Sequence, residues 1–147
     1  MRKLGISIYP GKTTEEELLS YIDKSFEAGF SRIFSCLLSS TDDKEIILKK
    51  FKKINYYAKE KGFEIILDVN PRVFDDLGIS YDNLAFFKEM GADGIRLDIG
   101  FTGLQESIMT FNKENLKIEI NMSNDTHYID TIMDYRPNKN NLIGCHN

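Results

Sequence analysis

The chain has 147 residues, which fits one domain, and a formal net charge of −4 with 41% hydrophobic and 29% charged residues. That balance suits a soluble globular chain rather than a disordered one, and a pI near 5.2 leaves no electrostatic footprint for nucleic acid. No stretch approaches the ~18 apolar residues of a membrane span. The opening run Leu4–Tyr9, broken by Ser7, is too short for a signal-peptide core. A cytoplasmic protein with neither membrane nor nucleic acid as partner is expected.

Leu4–Tyr9 reads as the first strand. An acidic helix follows, starting at Thr13 or Thr14 with Glu16 or Glu17 three residues on, a capping-box pattern, and running to about Ala28. The second strand is Arg32–Leu37. A second helix starts near Thr41–Asp43 and runs to Lys61; its basic run Lys49, Lys50, Lys52 and Lys53 sits among acidic residues as a solvated face. The third strand, Glu64–Val69, leads into a short turn or helix at Pro71–Leu77 and a third helix from Ser80 to just before Gly91. Gly94–Ile99 is the fourth strand, and Gly103–Phe111 a short fourth helix. Lys117–Met122 and Asn141–Cys145 are the fifth and sixth strands, with a helix at about Asp125–Tyr135 between them, stopped by Pro137.

A weak repeat supports this order. Gly29, Gly62 and Gly91 each close a helical pattern and precede a short apolar run, as expected of left-handed residues just past helix ends. Their spacing of about thirty residues is that of one βα unit. Strict alternation gives a parallel sheet with right-handed crossovers. A doubly wound sheet and a (β/α)₈ barrel both satisfy it. The barrel is favoured because Ser7-Ile8-Tyr9-Pro10-Gly11 stands where a glycine-rich phosphate loop would be, and because polar residues alternate near the strand ends. The expected fold is α/β, a partial TIM barrel of about six parallel strands lacking the last two βα units.

Those polar positions are Asp68 and Asn70, Arg96 and Asp98, Glu119 and Asn121, and His146. Alternate residues of a strand point the same way, and converging polar groups at the C-terminal ends of barrel strands are where active sites form. Asp68, Asp98 and Glu119 are candidate catalytic acids, each with a salt bridge as its structural alternative; for Glu119 the obvious partner is Arg96. Arg96 can hold a substrate carboxylate by a two-pronged contact, or pair with Asp98 or Glu119. Asn70, Asn121 and Asn124 can hydrogen-bond a polar substrate, or serve as turns and caps. Tyr9 can stack on a substrate or fill the mouth, and His146 can contact substrate or be structural. Gly100-Phe101-Thr102-Gly103 suits either a flexible loop over the site or a plain turn. His127, His146, Asp98 and Glu119 show no metal-ligand spacing, so neither metal nor cofactor is expected. Cys36 and Cys145 form no CxxC pattern and read as reduced thiols.

Several segments, taken together, resemble one known family. They are Leu4-Gly5-Ile6-Ser7-Ile8-Tyr9-Pro10, Arg32-Ile33-Phe34-Ser35-Cys36-Leu37-Leu38, Asp68-Val69-Asn70-Pro71-Arg72-Val73-Phe74 and Gly91-Ala92-Asp93-Gly94-Ile95-Arg96-Leu97-Asp98. Further along come Gly100-Phe101-Thr102-Gly103, Glu119-Ile120-Asn121-Met122-Ser123-Asn124 and Asn141-Leu142-Ile143-Gly144-Cys145-His146-Asn147. They are similar to the bacterial 6-phospho-N-acetylmuramidases, glycoside hydrolase family 170. The resemblance implies an N-terminal TIM barrel, a smaller cyclophilin-like C-terminal domain, and cytoplasmic cleavage of the 6-phospho-N-acetylmuramic acid–N-acetylglucosamine disaccharide in peptidoglycan recycling. Against that pattern, residues 1–147 are expected to form a single incomplete barrel domain without the C-terminal one. Such a piece is expected to be inactive alone, its phosphate-site residues lying beyond Asn147, and to self-associate through open barrel edges. Two other readings stand beside it: a non-catalytic gene fragment or sugar-binding remnant, and another phosphosugar TIM-barrel enzyme. The lack of a strand-end lysine for a Schiff base counts against an aldolase.

Overall fold

A computed structural model describes residues 3–38, 40–121 and the strand 141–144. Strands β1 (Gly5–Ile8), β2 (Arg32–Cys36), β3 (Glu64–Val69), β4 (Gly94–Leu97) and β5 (Lys117–Asn121) alternate with helices α1 (Glu15–Glu27), α2 (Lys44–Glu60), α3 (Pro71–Leu77), α4 (Ala85–Glu89) and α5 (Gly103–Thr110). A sixth strand, β6 (Asn141–Gly144), pairs with β5. All pairings are parallel, and the order is β1-β2-β3-β4-β5-β6.

That order decides between the two sheet architectures. A right-handed crossover that always moves to the next place in the same direction puts every helix on one face. The strand residues on that face are nearly all aliphatic: Ile6, Ile8, Ile33, Ile65, Leu67, Val69, Ile95, Leu97, Ile118 and Ile120 are all buried. They pack with Leu18 and Ile22 of α1, Phe51 and Ile54 of α2, and Phe87 of α4 in one core. Each such side chain contributes roughly 1.5–3 kcal/mol by leaving water. A sheet covered by helices on one face only must curl its other face inward. The contact between Arg32 on β2 and Glu119 on β5, at 2.5 Å, shows that it does. Side chains standing off a flat sheet three strands apart would not meet. The architecture is a partial (β/α)₈ barrel.

The local signals follow the sequence closely. Thr14 caps α1 and exchanges hydrogen bonds with Glu17 in a capping box. Gly29, Gly62 and Gly91 have φ of 86°, 94° and 86°, the left-handed conformation in which a side chain would be strained. At Gly94 the need is space: a Cβ there would lie 2.7 Å from the Lys117 carbonyl oxygen, so only glycine lets β4 close on β5. One helix is shorter than the pattern suggests. The segment from Ser80 is a turn in which Ser80 bonds the Asp82 carboxylate and Asn83 Oδ1 accepts from the Ala85 amide. These local bonds compete with helix, and α4 spans only Ala85–Glu89. The helix expected at Asp125–Tyr135, with Pro137, lies outside the described residues.

Candidate functional site

Strand register fixes which side chains share the concave face. Cys36, Asp68, Arg96 and Glu119 are successive register partners across β2, β3, β4 and β5. Asn70, Asp98 and Asn121 lie two residues further toward the C-terminal ends, so they point the same way. The structure therefore brings Asp68, Arg96, Asp98, Glu119 and Asn121 to one face. Asp68, Arg96, Glu119 and Asn121 are buried at 9%, 8%, 5% and 6% exposure, and Asp98 is half-buried. So many polar groups are costly to bury unless they bond one another, and they do.

Arg96 grips Asp68 with both prongs: Nε donates to Oδ1 and Nη2 to Oδ2, each at 3.0 Å. The expected pairing of Arg96 with Asp98 or Glu119 is thus replaced by one with Asp68. Asp68 and Glu119 both flank Arg96 in the sheet, but Glu119 is already taken by Arg32, whose Nη2 donates to Oε2 at 2.5 Å. Both guanidinium groups also sit 4.8 Å from the Phe34 ring centroid, one from β2 and one from β4. The aromatic ring between them offsets some of the repulsion between two nearby cations. Sequence reasoning missed Arg32 and Phe34. Their signal was the same alternation at the start of β2.

Below this row, Glu64 forms an ion pair with Arg32, its Oε2 lying 3.3 Å from Nε without a hydrogen bond, accepts a hydrogen bond from Lys3 at 3.2 Å and is also paired with Lys117. Burial pushes its carboxyl up, but the hydrogen bonds from Lys117 and Lys3 outweigh this and hold it below the usual range. Above the row, Asn121 Nδ2 donates to Asp98 Oδ1 at 3.0 Å, and the Asp98 amide donates to the Val69 carbonyl at 2.8 Å. Asn121 Oδ1 is buried with no hydrogen-bond partner among the described residues, an acceptor that a ligand N–H or O–H would satisfy. Of the three candidate acids, Asp68 and Glu119 are each bound to an arginine. Among the described residues, the Asp98 carboxylate meets only the neutral Asn121 amide.

The other candidates divide. Asn70 lies on the right face, but its Oδ1 accepts from the Val73 amide at 3.1 Å as the N-cap of α3. The cap alternative is the one observed, which removes that oxygen from substrate binding. Tyr9 stands at the end of β1 and is 46% exposed, open to contact from the mouth. Phe101 is anchored rather than free: it is 7% exposed and packs edge-on against Phe74 at 5.6 Å and Tyr81 at 6.2 Å. Thr102 after it caps α5 in a capping box with Gln105. Gly100–Gly103 is therefore a pinned turn, not a flexible loop. Asn124, His127, Cys145 and His146 lie outside the described residues. Among the described residues, no three His, Cys, Asp or Glu side chains are grouped to hold a metal ion, and no helix is long and apolar enough to cross a membrane.

The chain belongs to the 6-phospho-N-acetylmuramidase family, matching its N-terminal region over residues 4–147. A crystal structure of an uncharacterized B. cereus protein is 47% identical, with a TM-score of 0.78, and is matched over 99% of this chain and 38% of that one. A conserved Enterococcus faecalis protein of unknown function is 22% identical with a TM-score of 0.71, covering 98% of this chain and 38% of that one. The N-terminal domain of a putative aldolase from Bacteroides vulgatus shares the fold at 15% identity and a TM-score of 0.67, covering 99% and 49%. The chain thus spans 38% of the length of the first two. No curated protein matches it.

Proposed function

From this membership we propose that the chain supplies one wall of a glycosidase site that cleaves a 6-phosphorylated amino-sugar disaccharide, in cell-wall recycling in the cytoplasm. The observation that carries the reading is the Asp98–Asn121 pair at the C-terminal end of the strands, beside a buried guanidinium. Glycoside hydrolysis usually needs two carboxyl groups flanking the bond. We assign these roles to Asp98, which no arginine among the described residues contacts, and Glu119, held in place by Arg32. Asp68 is then a positioning residue that fixes Arg96. The Nη1 edge of Arg96 remains to meet an anionic substituent of the sugar. The Oδ1 atom of Asn121 takes a donor from the same ring. The phosphate is held outside residues 1–147, so the chain alone is inactive: loss of a remote anchor lowers turnover as well as affinity.

The test is a chimera in which residues 1–147 replace the matching 38% of the B. cereus relative. The folded chimera should cleave the 6-phosphorylated disaccharide faster than its unphosphorylated counterpart, and residues 1–147 alone should cleave neither. Equal rates on both compounds, or no cleavage by a folded chimera, would overturn the reading.

A further inference from the structure

Beside the barrel mouth lies a cleft of about 490 Å³ between the β2–α2 loop and α3, within the size range of small-ligand sites. Its floor is apolar, made by Leu37, Val73 and Leu77; Leu37 and Val73 are 2% and 7% exposed. Its rim is polar, with Ser40, Asp42 and Asp43 from the loop and Asp76 from α3. Asn70 belongs to both places. It lines the cleft and follows Asp68 by two residues, so the cleft adjoins the row that carries Asp98.

Two groups on the rim are not committed to a partner among the described residues. Ser40 Oγ is shielded from solvent and has no hydrogen-bond partner among the described residues. Asp43 occupies the N-cap position of α2 with extended backbone, yet its side chain makes no capping bond. An unpaired hydroxyl and an unengaged carboxylate over an apolar floor suit a ligand with hydroxyls on its edge and C–H groups on its face. Charge narrows the class further. Lys44 and Arg72 line the cleft against Asp42, Asp43 and Asp76, and Arg72 Nε already donates to Asp76 at 3.1 Å. An anion would face the excess of carboxylates, whereas an uncharged polyol would not.

We propose that this cleft is a subsite for an uncharged pyranose ring, its C–H face on Leu37, Val73 and Leu77 and its hydroxyls on Ser40 and the acidic rim. Sugar binding there stands on the cleft alone. Its part in catalysis rests on the glycosidase reading above, in which the charged sugar lies over Arg96 and Asp98 and the uncharged one in this cleft.

The experiment is an amide-resolved NMR titration of residues 1–147 with N-acetylglucosamine, run in parallel with its 6-phosphate. Saturable millimolar binding is expected, with shifts at Thr41, Val73 and Leu77, and no tighter binding of the phosphate. Thr41 also lines the cleft, so Thr41→Trp, which fills it, should weaken binding at least tenfold. Ser40→Ala should weaken it about threefold with the unfolding midpoint unchanged, which separates lost contact from lost fold. Absence of shifts at those three residues, shifts confined to Asp98 and Asn121, or tighter binding of the phosphate in the cleft would overturn the proposal. The two readings fail separately. Cleft binding by a protein whose chimera cleaves nothing keeps the subsite and sinks the glycosidase. Full cleavage by a chimera carrying Thr41→Trp does the reverse.

Discussion

Replacing Arg32 by Met should destabilise the barrel by about 3–4 kcal/mol. The side chain is 18% exposed and its partner Glu119 7% exposed, with the charged atoms 2.5 Å apart. Removing one member of a buried pair leaves an uncompensated charge and typically costs ~3–5 kcal/mol; the residual exposure of Arg32 places this case near the lower end. Loss of its stacking on Phe34 at 4.8 Å adds about 0.5–1 kcal/mol. Glu64 retains Lys3 and Lys117, so its charge stays compensated. Methionine keeps much of the apolar stem and introduces no new polar group. The paired change Arg32→Met with Glu119→Leu removes both charges and should return stability to within about 1 kcal/mol of the parent, because swapping a whole buried ion pair for apolar residues is often neutral. Urea unfolding with an unchanged slope reports both numbers. A single-variant cost below about 1 kcal/mol, or a double variant no more stable than the single, would refute the view that Arg32 compensates Glu119 across the barrel interior. If Glu119 also acts on substrate, the double variant placed in the chimera regains stability without regaining activity.

Two further outcomes follow from the same geometry. Asn70→Ala should cost about 1 kcal/mol through loss of the α3 cap while leaving turnover of the folded chimera near normal; a large loss of turnover at unchanged stability would make Asn70 a substrate ligand instead. The Glu64 carboxyl is held below its usual range, so its contribution to stability is present above the unfolded value of about 4.3. It is lost as pH falls through the lower folded value. Urea midpoints should therefore fall on acidification, and Glu64→Gln should flatten that fall; an unchanged pH slope in the variant would contradict the Lys3–Glu64–Lys117 arrangement.

Much of this fold was legible because its punctuation is local. Gly29, Gly62 and Gly91 mark helix ends by backbone conformation alone, and Thr14 and Glu17 announce a helix start three residues apart. The period-two pattern also showed correctly which residues of β3, β4 and β5 share a face. What it could not show was partner choice within that face. Arg96 has a carboxylate on each side in the sheet, and which one it takes depends on Arg32 crossing from β2 to reach Glu119, a contact 87 residues apart in sequence. The shortness of α4 was hidden for the opposite reason. Ser80, Asp82 and Asn83 fit a helix start as a pattern, but their side chains form local bonds that hold the chain in a turn. Asn70 carried two legible signals at once, strand alternation and an N-cap before Pro71, and the cap took the oxygen.

The measurement that bears most directly on the account is the rate of the Asp98→Asn chimera on the 6-phosphorylated disaccharide. Asparagine keeps the shape, can still meet Asn121, and removes the ionisable group. A positioned acid or base contributes roughly 10²–10⁴-fold, so turnover should fall by at least about 10²-fold while the unfolding midpoint stays within a few tenths of a molar in urea. Turnover within about threefold of the parent chimera, with the protein folded, would place the chemistry elsewhere and contradict the assignment of Asp98.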